Sequence, residues 1–125
     1  SYHAFGAMEK PPVALAREIQ LLANPASVAS VPVAGNIEDV ATNAPLSLTR
    51  LETAADDYAY ILGMELIHAA QAIDLRLKEN PGLALGKDTR ALYDAFRKQV
   101  TFLDADRPLS DDFARAHDFI LAYRP

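Results

Sequence analysis

Cysteine is absent from the chain, which rules out disulfides and thiolate chemistry and is compatible with a reducing compartment. Positive charge is scarce: 12 Lys and Arg stand against 17 Asp and Glu, for a net charge of −5. A phosphate backbone would be repelled, no basic run reverses this locally, and no nucleic-acid partner is expected. Long apolar runs are missing as well. Nothing approaches the ~18 uninterrupted apolar residues of a bilayer span, and the first residues carry no basic-then-apolar signal. The expectation is a cytoplasmic chain without membrane contact. Internal repeats, low-complexity tracts and β alternation are absent too.

What is present favours a packed fold. Half of the 125 residues are hydrophobic and 23% are charged, far from the composition of a disordered chain, and the length suits one domain. The opening SYHAFGAMEKPP, with no initiator methionine and no clear helix start, reads as the edge of a segment taken from something longer.

Helical patterns account for most of the chain. VALAREIQLLA, residues 13–23, has helix formers at helical spacing behind Pro11 and Pro12, and Asn24-Pro25 stops it. Residues 24–44 read as a loop. From about 45 to 80, apolar residues recur in three- and four-residue steps at Leu48, Leu51, Ala55, Tyr58, Leu62, Leu66, Ala69 and Ile73. A helix of roughly 35 residues is about 50 Å long, whereas a globule of this size is only ~35 Å wide. Such a rod needs an oligomer, or the rest of a larger polypeptide, to cover it. Asn80-Pro81-Gly82 ends it, and two shorter helices are expected at about 88–102, capped by Asp88, and 111–123, capped by Ser110. The fold class is all-α, a long-helix bundle segment of a larger, mostly helical oligomer.

Several residue groups invite a functional reading. Glu65 and His68 form an E-x-x-H step that places a carboxylate and an imidazole on one helix face, as di-iron bundles do. Neither His3 nor His117 has a Glu three residues upstream, so the second half of such a site is missing and no metal is expected. Gln71, Asp74 and Arg76 lie among alanines, where polar groups bond across a helix seam. His117 reads as a surface or interface residue, and Lys10 as a solvated lysine. The acidic pair Glu38 and Asp39 is less easily assigned to the scaffold. Thr42, Asn43 and Ser47 are nearer the start of the long helix and better placed to cap it, which leaves the two acids in the loop without a capping role. A reacting site is the alternative.

Taken together, AREIQLLANPAS, NIEDVATNAPLS and ILGMELIHAAQAIDLR resemble the C-terminal part of the aromatic amino acid ammonia-lyase and aminomutase family, which includes histidine, phenylalanine and tyrosine ammonia-lyases. TFLDADRPLSDDF, residues 101–113, is similar to the tail of the histidine type. The resemblance implies long antiparallel helices bundled in a homotetramer, with active sites shared between subunits. It also implies elimination of ammonia from an aromatic α-amino acid by means of an electrophilic methylidene-imidazolone, formed autocatalytically from Ala-Ser-Gly. None of Gly6, Gly35, Gly63, Gly82 and Gly86 follows a serine, so the cofactor would have to come from a preceding part of the polypeptide, and the chain alone is expected to be inactive.

By the same resemblance Glu38 falls on the acidic residue beside the substrate amino group or side chain, and is the expected catalytic and substrate-binding group. Asp39 would be a structural partner orienting the loop, and Lys10 would line the side-chain end of the substrate pocket. The loop departs from the histidine-type Gln-Glu-Asp-His-Val-Ser: Ile37 replaces the Gln, Val40 the His and Ala41-Thr42 the Val-Ser. The substrate, and lyase against aminomutase, therefore stay open. A helical assembly or scaffold module without catalysis is the alternative reading.

Overall fold

The computed structural model describes residues 4–27, 32–38 and 41–124. Among the described residues five helices succeed one another: α1 (Ala4–Ala7), α2 (Lys10–Leu22), α3 (Ala44–Glu79), α4 (Lys87–Phe96) and α5 (Ser110–Ala122). The described residues contain no strand, only an isolated antiparallel bridge between Val33 and Glu38. The fold is all-α. Among the described residues, no helix is long and apolar enough to cross a membrane.

α3 organises the chain. Its 36 residues make a rod about 54 Å long, against which α2 packs on one stretch and α5 on another. Pro45 sits in its first turn, where the missing N–H breaks no bond. At the far end Arg76 and Lys78 oppose the partial negative charge of the helix terminus. Asn80 closes the helix by donating its N–H to Arg76 O (2.8 Å) and accepting at Oδ1 from Gly82 N (3.2 Å).

The core differs from the stripe read in the sequence. On α3 the buried residues are Ala59, Gly63, Met64, Ile67, Ala70 and Gln71, one turn-face away from the expected series. Leu48, Leu51 and Tyr58 of that series are 57%, 65% and 56% exposed. The small residues Ala59, Gly63 and Ala70 are the ones that admit another helix closely. Ile67, Ala70, Phe96, Val100, Ala116 and Met8 form one cluster, ringed by half-buried Phe5, Tyr93, Leu109, Phe113 and Phe119. α3 therefore carries two apolar faces, and only one is covered by its own chain.

Element ends also depart from the sequence reading. A single helical turn, α1, forms where no helix start was evident. α2 begins at Lys10, earlier than expected, because Pro11 and Pro12 fit within the first turn. Gly86 and not Asp88 occupies the N-cap of α4, with Asp88 in the first turn. α4 stops at Phe96, short of residue 102: the N–H groups of Gln99 and Val100 both donate to Phe96 O (2.9 and 3.0 Å), and the Arg97 guanidinium bonds Val100 O (3.0 Å). That tight turn drives Val100 into the core. Ser110 is the first residue of α5 and makes no capping bond; Asp111 and Asp112 supply negative charge to that turn instead.

The α3–α5 crossing is set by Gly63. A Cβ built there would lie 3.0 Å from the carbonyl carbon of Ala116, 3.0 Å from His117 N and 3.1 Å from the Ala116 Cβ, and a backbone cannot yield as a flexible side chain can. Gly63→Ala is expected to destabilise the fold by about 1 kcal/mol, overpacking of roughly 1–3 kcal/mol outweighing a helix-propensity gain of about 1 kcal/mol. Gly63→Val should cost more. Denaturant midpoints measure both, and a stabilised Gly63→Ala would contradict the close crossing.

Candidate functional site

The loop between α2 and α3 holds the acidic pair. Val33 N donates to Glu38 O (3.0 Å) and Glu38 N to Val33 O (3.3 Å), which closes a tight turn over Ala34, Gly35, Asn36 and Ile37. Three successive residues of that turn have left-handed backbones, with φ of 52° at Ala34, 68° at Gly35 and 68° at Asn36. Gly35 and Asn36 tolerate this region, but at Ala34 it costs of order 1 kcal/mol. Glu38 thus has its backbone fixed in both directions while its side chain stays exposed. Ile37 beside it is 84% exposed, an apolar group presented outward. Asp39 lies outside the described residues.

Lys10 occupies the first position of α2, exposed. No acidic residue lies in that helix's first turn, and a cation there adds to the positive end of the helix dipole. Stability does not favour the placement. Neither Lys10 nor Glu38 makes a side-chain hydrogen bond or ion pair with another described residue, so this chain does not join them to each other.

The other polar candidates belong to the scaffold. Gln71, 8% exposed, pairs both amide groups with the Leu103 backbone, donating to Leu103 O (2.8 Å) and accepting from Leu103 N (3.0 Å). Asp74 accepts from the Tyr93 hydroxyl and from the Arg97 guanidinium. Burial, together with the bond to Asp74, raises the Tyr93 pKa above its usual 10. Arg107 joins Asp112 to Thr101, tying the segment after α4 to the first turn of α5. His68 shares its Nδ1 proton with Met64 O (2.8 Å) and packs edge-on against Phe5 (4.8 Å between centroids). Glu65 stays exposed, and no group of three or more His, Cys, Asp or Glu suited to a metal occurs among the described residues. Arg76 is exposed and does not join the seam.

His117, read from the sequence as a surface or interface residue, lies buried in the contact between α5 and α3. It is 8% exposed and stacks on Tyr60 (4.0 Å between centroids, 20° between planes). Its Nε2 lies 2.9 Å from Asp56 Oδ1 on α3 and its Nδ1 3.0 Å from Asp118 Oδ1. Only an imidazolium donates from both nitrogens. Burial pushes the imidazole pKa down, but the hydrogen bonds to Asp118 and Asp56 and their charges outweigh it, and the pKa is raised above 6.5. Nothing in the local sequence signals this, because Asp56 lies 61 residues away.

The chain's own residues do not fit the generation of a methylidene-imidazolone. Gly63 is locked against Ala116 in a helix, and the residue ahead of each glycine is Phe5, Ala34, Leu62, Pro81 or Leu85, never the serine that such a group requires.

The description "aromatic amino acid lyase" belongs to the family model that matches residues 1–98. This chain belongs to that family. Over 106 residues it is 35% identical to histidine ammonia-lyase 1 of Fusobacterium nucleatum, covering 85% of this chain and 20% of that protein. Over 111 residues it is 40% identical to the histidine ammonia-lyase of Desulfotalea psychrophila, covering 87% and 20%. Among solved structures, the ergothioneine-degrading enzyme ergothionase of Treponema denticola, in complex with desmethyl-ergothioneine sulfonic acid, superposes with a TM-score of 0.86 at 38% identity, over 97% of this chain and 24% of that one. The chain thus spans about a fifth of the length of the curated lyases it matches.

Within this family member, the His117 bridge gives stability a defined pH dependence. A folded-state pKa above the unfolded 6.5 means that the bridge's contribution is complete below about pH 6.5 and is lost as pH rises through the folded value. Unfolding free energy of the parent chain should therefore fall from pH 6 to pH 8 relative to His117→Gln, followed by urea denaturation. Equal slopes for the two proteins would contradict a doubly donating His117.

Proposed function

We propose that this chain acts as the C-terminal part of an enzyme that eliminates ammonia from an aromatic α-amino acid, and that it contributes the acidic loop of the active site. The observation that carries this reading is Glu38: an exposed carboxylate without a partner among the described residues, on a backbone held by two hydrogen bonds within a strained turn. A loop selected for stability alone would not retain Ala34 in a left-handed conformation in the same turn as an exposed acid. Family membership supports the reaction class.

In this reading Glu38 accepts a proton from the substrate ammonium or holds it in place, which frees the nitrogen lone pair for attack. The methylidene-imidazolone, as the electrophile for that nitrogen, comes from a part of the polypeptide outside these residues, and the chain alone is inactive. Asp39 orients the loop. Lys10, with the positive end of α2 behind it, selects a polar or anionic group at the far end of the substrate. Such a site accommodates an imidazole-bearing substrate with a primary amino group, namely histidine, by analogy with the histidine ammonia-lyases. An aminomutase would use the same residues and hold the acrylate product until ammonia adds back. The exposed leucines of α3 supply the faces for a homotetrameric bundle, and the enzyme is cytoplasmic.

Glu38→Gln in the complete enzyme should lower kcat/KM by about 100-fold or more, the ordinary contribution of a proton-transfer group, as measured by the ultraviolet absorbance of the acrylate product. Unchanged activity would leave the non-catalytic, helical-assembly reading of this segment. Lys10→Met should alter the ratio of kcat/KM between histidine and phenylalanine. Identical ratios before and after the substitution would remove Lys10 from the pocket.

A further inference from the structure

Asn43 departs from its expected task. It occupies the N-cap position of α3 and its carbonyl accepts the first helical bond, from Ser47 N (3.0 Å). Its side chain makes no capping bond. Instead Nδ2 donates to Ala26 O across the base of the loop (2.9 Å), and the backbone is left-handed, with φ 51° and ψ 32°.

Two requirements meet at this position. The chain must turn through positive φ to enter α3, which an L residue adopts readily only if it is Asn or Asp, glycine being the other choice. A donor is needed for Ala26 O, which glycine and aspartate lack. Nearby, Asn24 Nδ2 and an Arg50 guanidinium nitrogen both donate to Leu21 O (2.9 and 3.0 Å), which ties α3 to the end of α2. Asparagine alone meets both requirements on residue 43.

Glu38 lies five residues before Asn43, within about 18 Å even for a fully extended chain. Its other support is the two-bond bridge to Val33, which fixes the turn internally but not its attachment to the helices. The latch from Asn43 to Ala26 supplies that attachment. We propose that Asn43 is the positioning residue for Glu38, its amide closing the base of the acidic loop. The proposal rests on the reading of Glu38 as the proton-handling group.

The test compares Asn43→Gly and Asn43→Asp, each in the parent and in the Glu38→Gln background, in the complete enzyme. Glycine keeps the backbone conformation and loses the donor; aspartate keeps the shape and sets a carboxylate against Ala26 O. Each is expected to lower kcat about tenfold, the loss of one hydrogen bond of ordinary strength, with a smaller effect on KM and an unchanged thermal midpoint for the glycine variant. The loss should disappear in the Glu38→Gln background, because a residue acting through Glu38 has nothing left to position. The acidic limb of the kcat/KM profile, which Glu38→Gln abolishes, should shift in both Asn43 variants. Parent-like kcat in Asn43→Gly, an equal tenfold loss in both backgrounds, or an unmoved acidic limb would overturn the proposal. Full activity in Glu38→Gln alone would overturn the reading of Glu38 separately and independently of the latch. Should Asn43→Asp fail to fold, Asn43→Gly carries the test.

Discussion

At Gly63 the backbones of α3 and α5 approach until no side chain fits between them, and the rest of the chain is arranged around that contact. It lets Ala116 reach complete burial and brings His117 against Tyr60 and Asp56. With α5 fixed there, Phe113 and Phe119 reach the cluster that holds Phe96 and Val100. Arg107 then ties the preceding segment to α5 through Asp112, and Gln71 clamps Leu103 onto α3. The tail after α3 is thus a clasp on the rod, fastened by one close backbone contact and by polar groups whose partners are largely backbone or opposite charge. Buried polar groups of this kind are costly unless satisfied, and the satisfied ones fix a single register.

α3 has a second side that this clasp does not touch. Leu48, Leu51 and Tyr58 stay in solvent within this chain, although their spacing is as regular as that of any core stripe. A helix about 54 Å long with apolar residues on two faces is built for neighbours on both, and the chain's share of its relatives, about a fifth, is consistent with a rod whose cover is made largely elsewhere. In the loop before α3, Ile37 and Glu38 are likewise exposed on a constrained turn.

Much of this was legible in the sequence, for reasons that can be named. The length and class of α3 follow from a strong 3.6 period with proline only at its ends. The family could be read from three ordered motifs. The choice of buried face could not, because Ala59, Gly63 and Ala70 carry little hydrophobic signal and act through their small size, while the louder leucines face away. The end of α4 was obscured because Arg97-Lys98-Gln99 are good helix formers, and a tertiary demand, placing Val100 in the core, overrides their propensity. His117 was hidden because its meaning depends on Asp56, 61 residues distant. Asn43 was read correctly as standing at the cap position of the helix, but its side chain bonds Ala26 instead of the helix, and that bond depends on how α2 and α3 pack and not on local spacing.

The central claim is that this chain delivers Glu38 to a substrate bound in a site completed by other surfaces. The most direct measurement is a crystal structure of the complete enzyme with an unreactive substrate analogue bound. The account predicts a Glu38 carboxylate oxygen within about 3 Å of the analogue's amino or ring nitrogen, with the turn over 34–37 covered by another part of the assembly. Glu38 facing solvent, with the analogue held wholly by other residues, would contradict it.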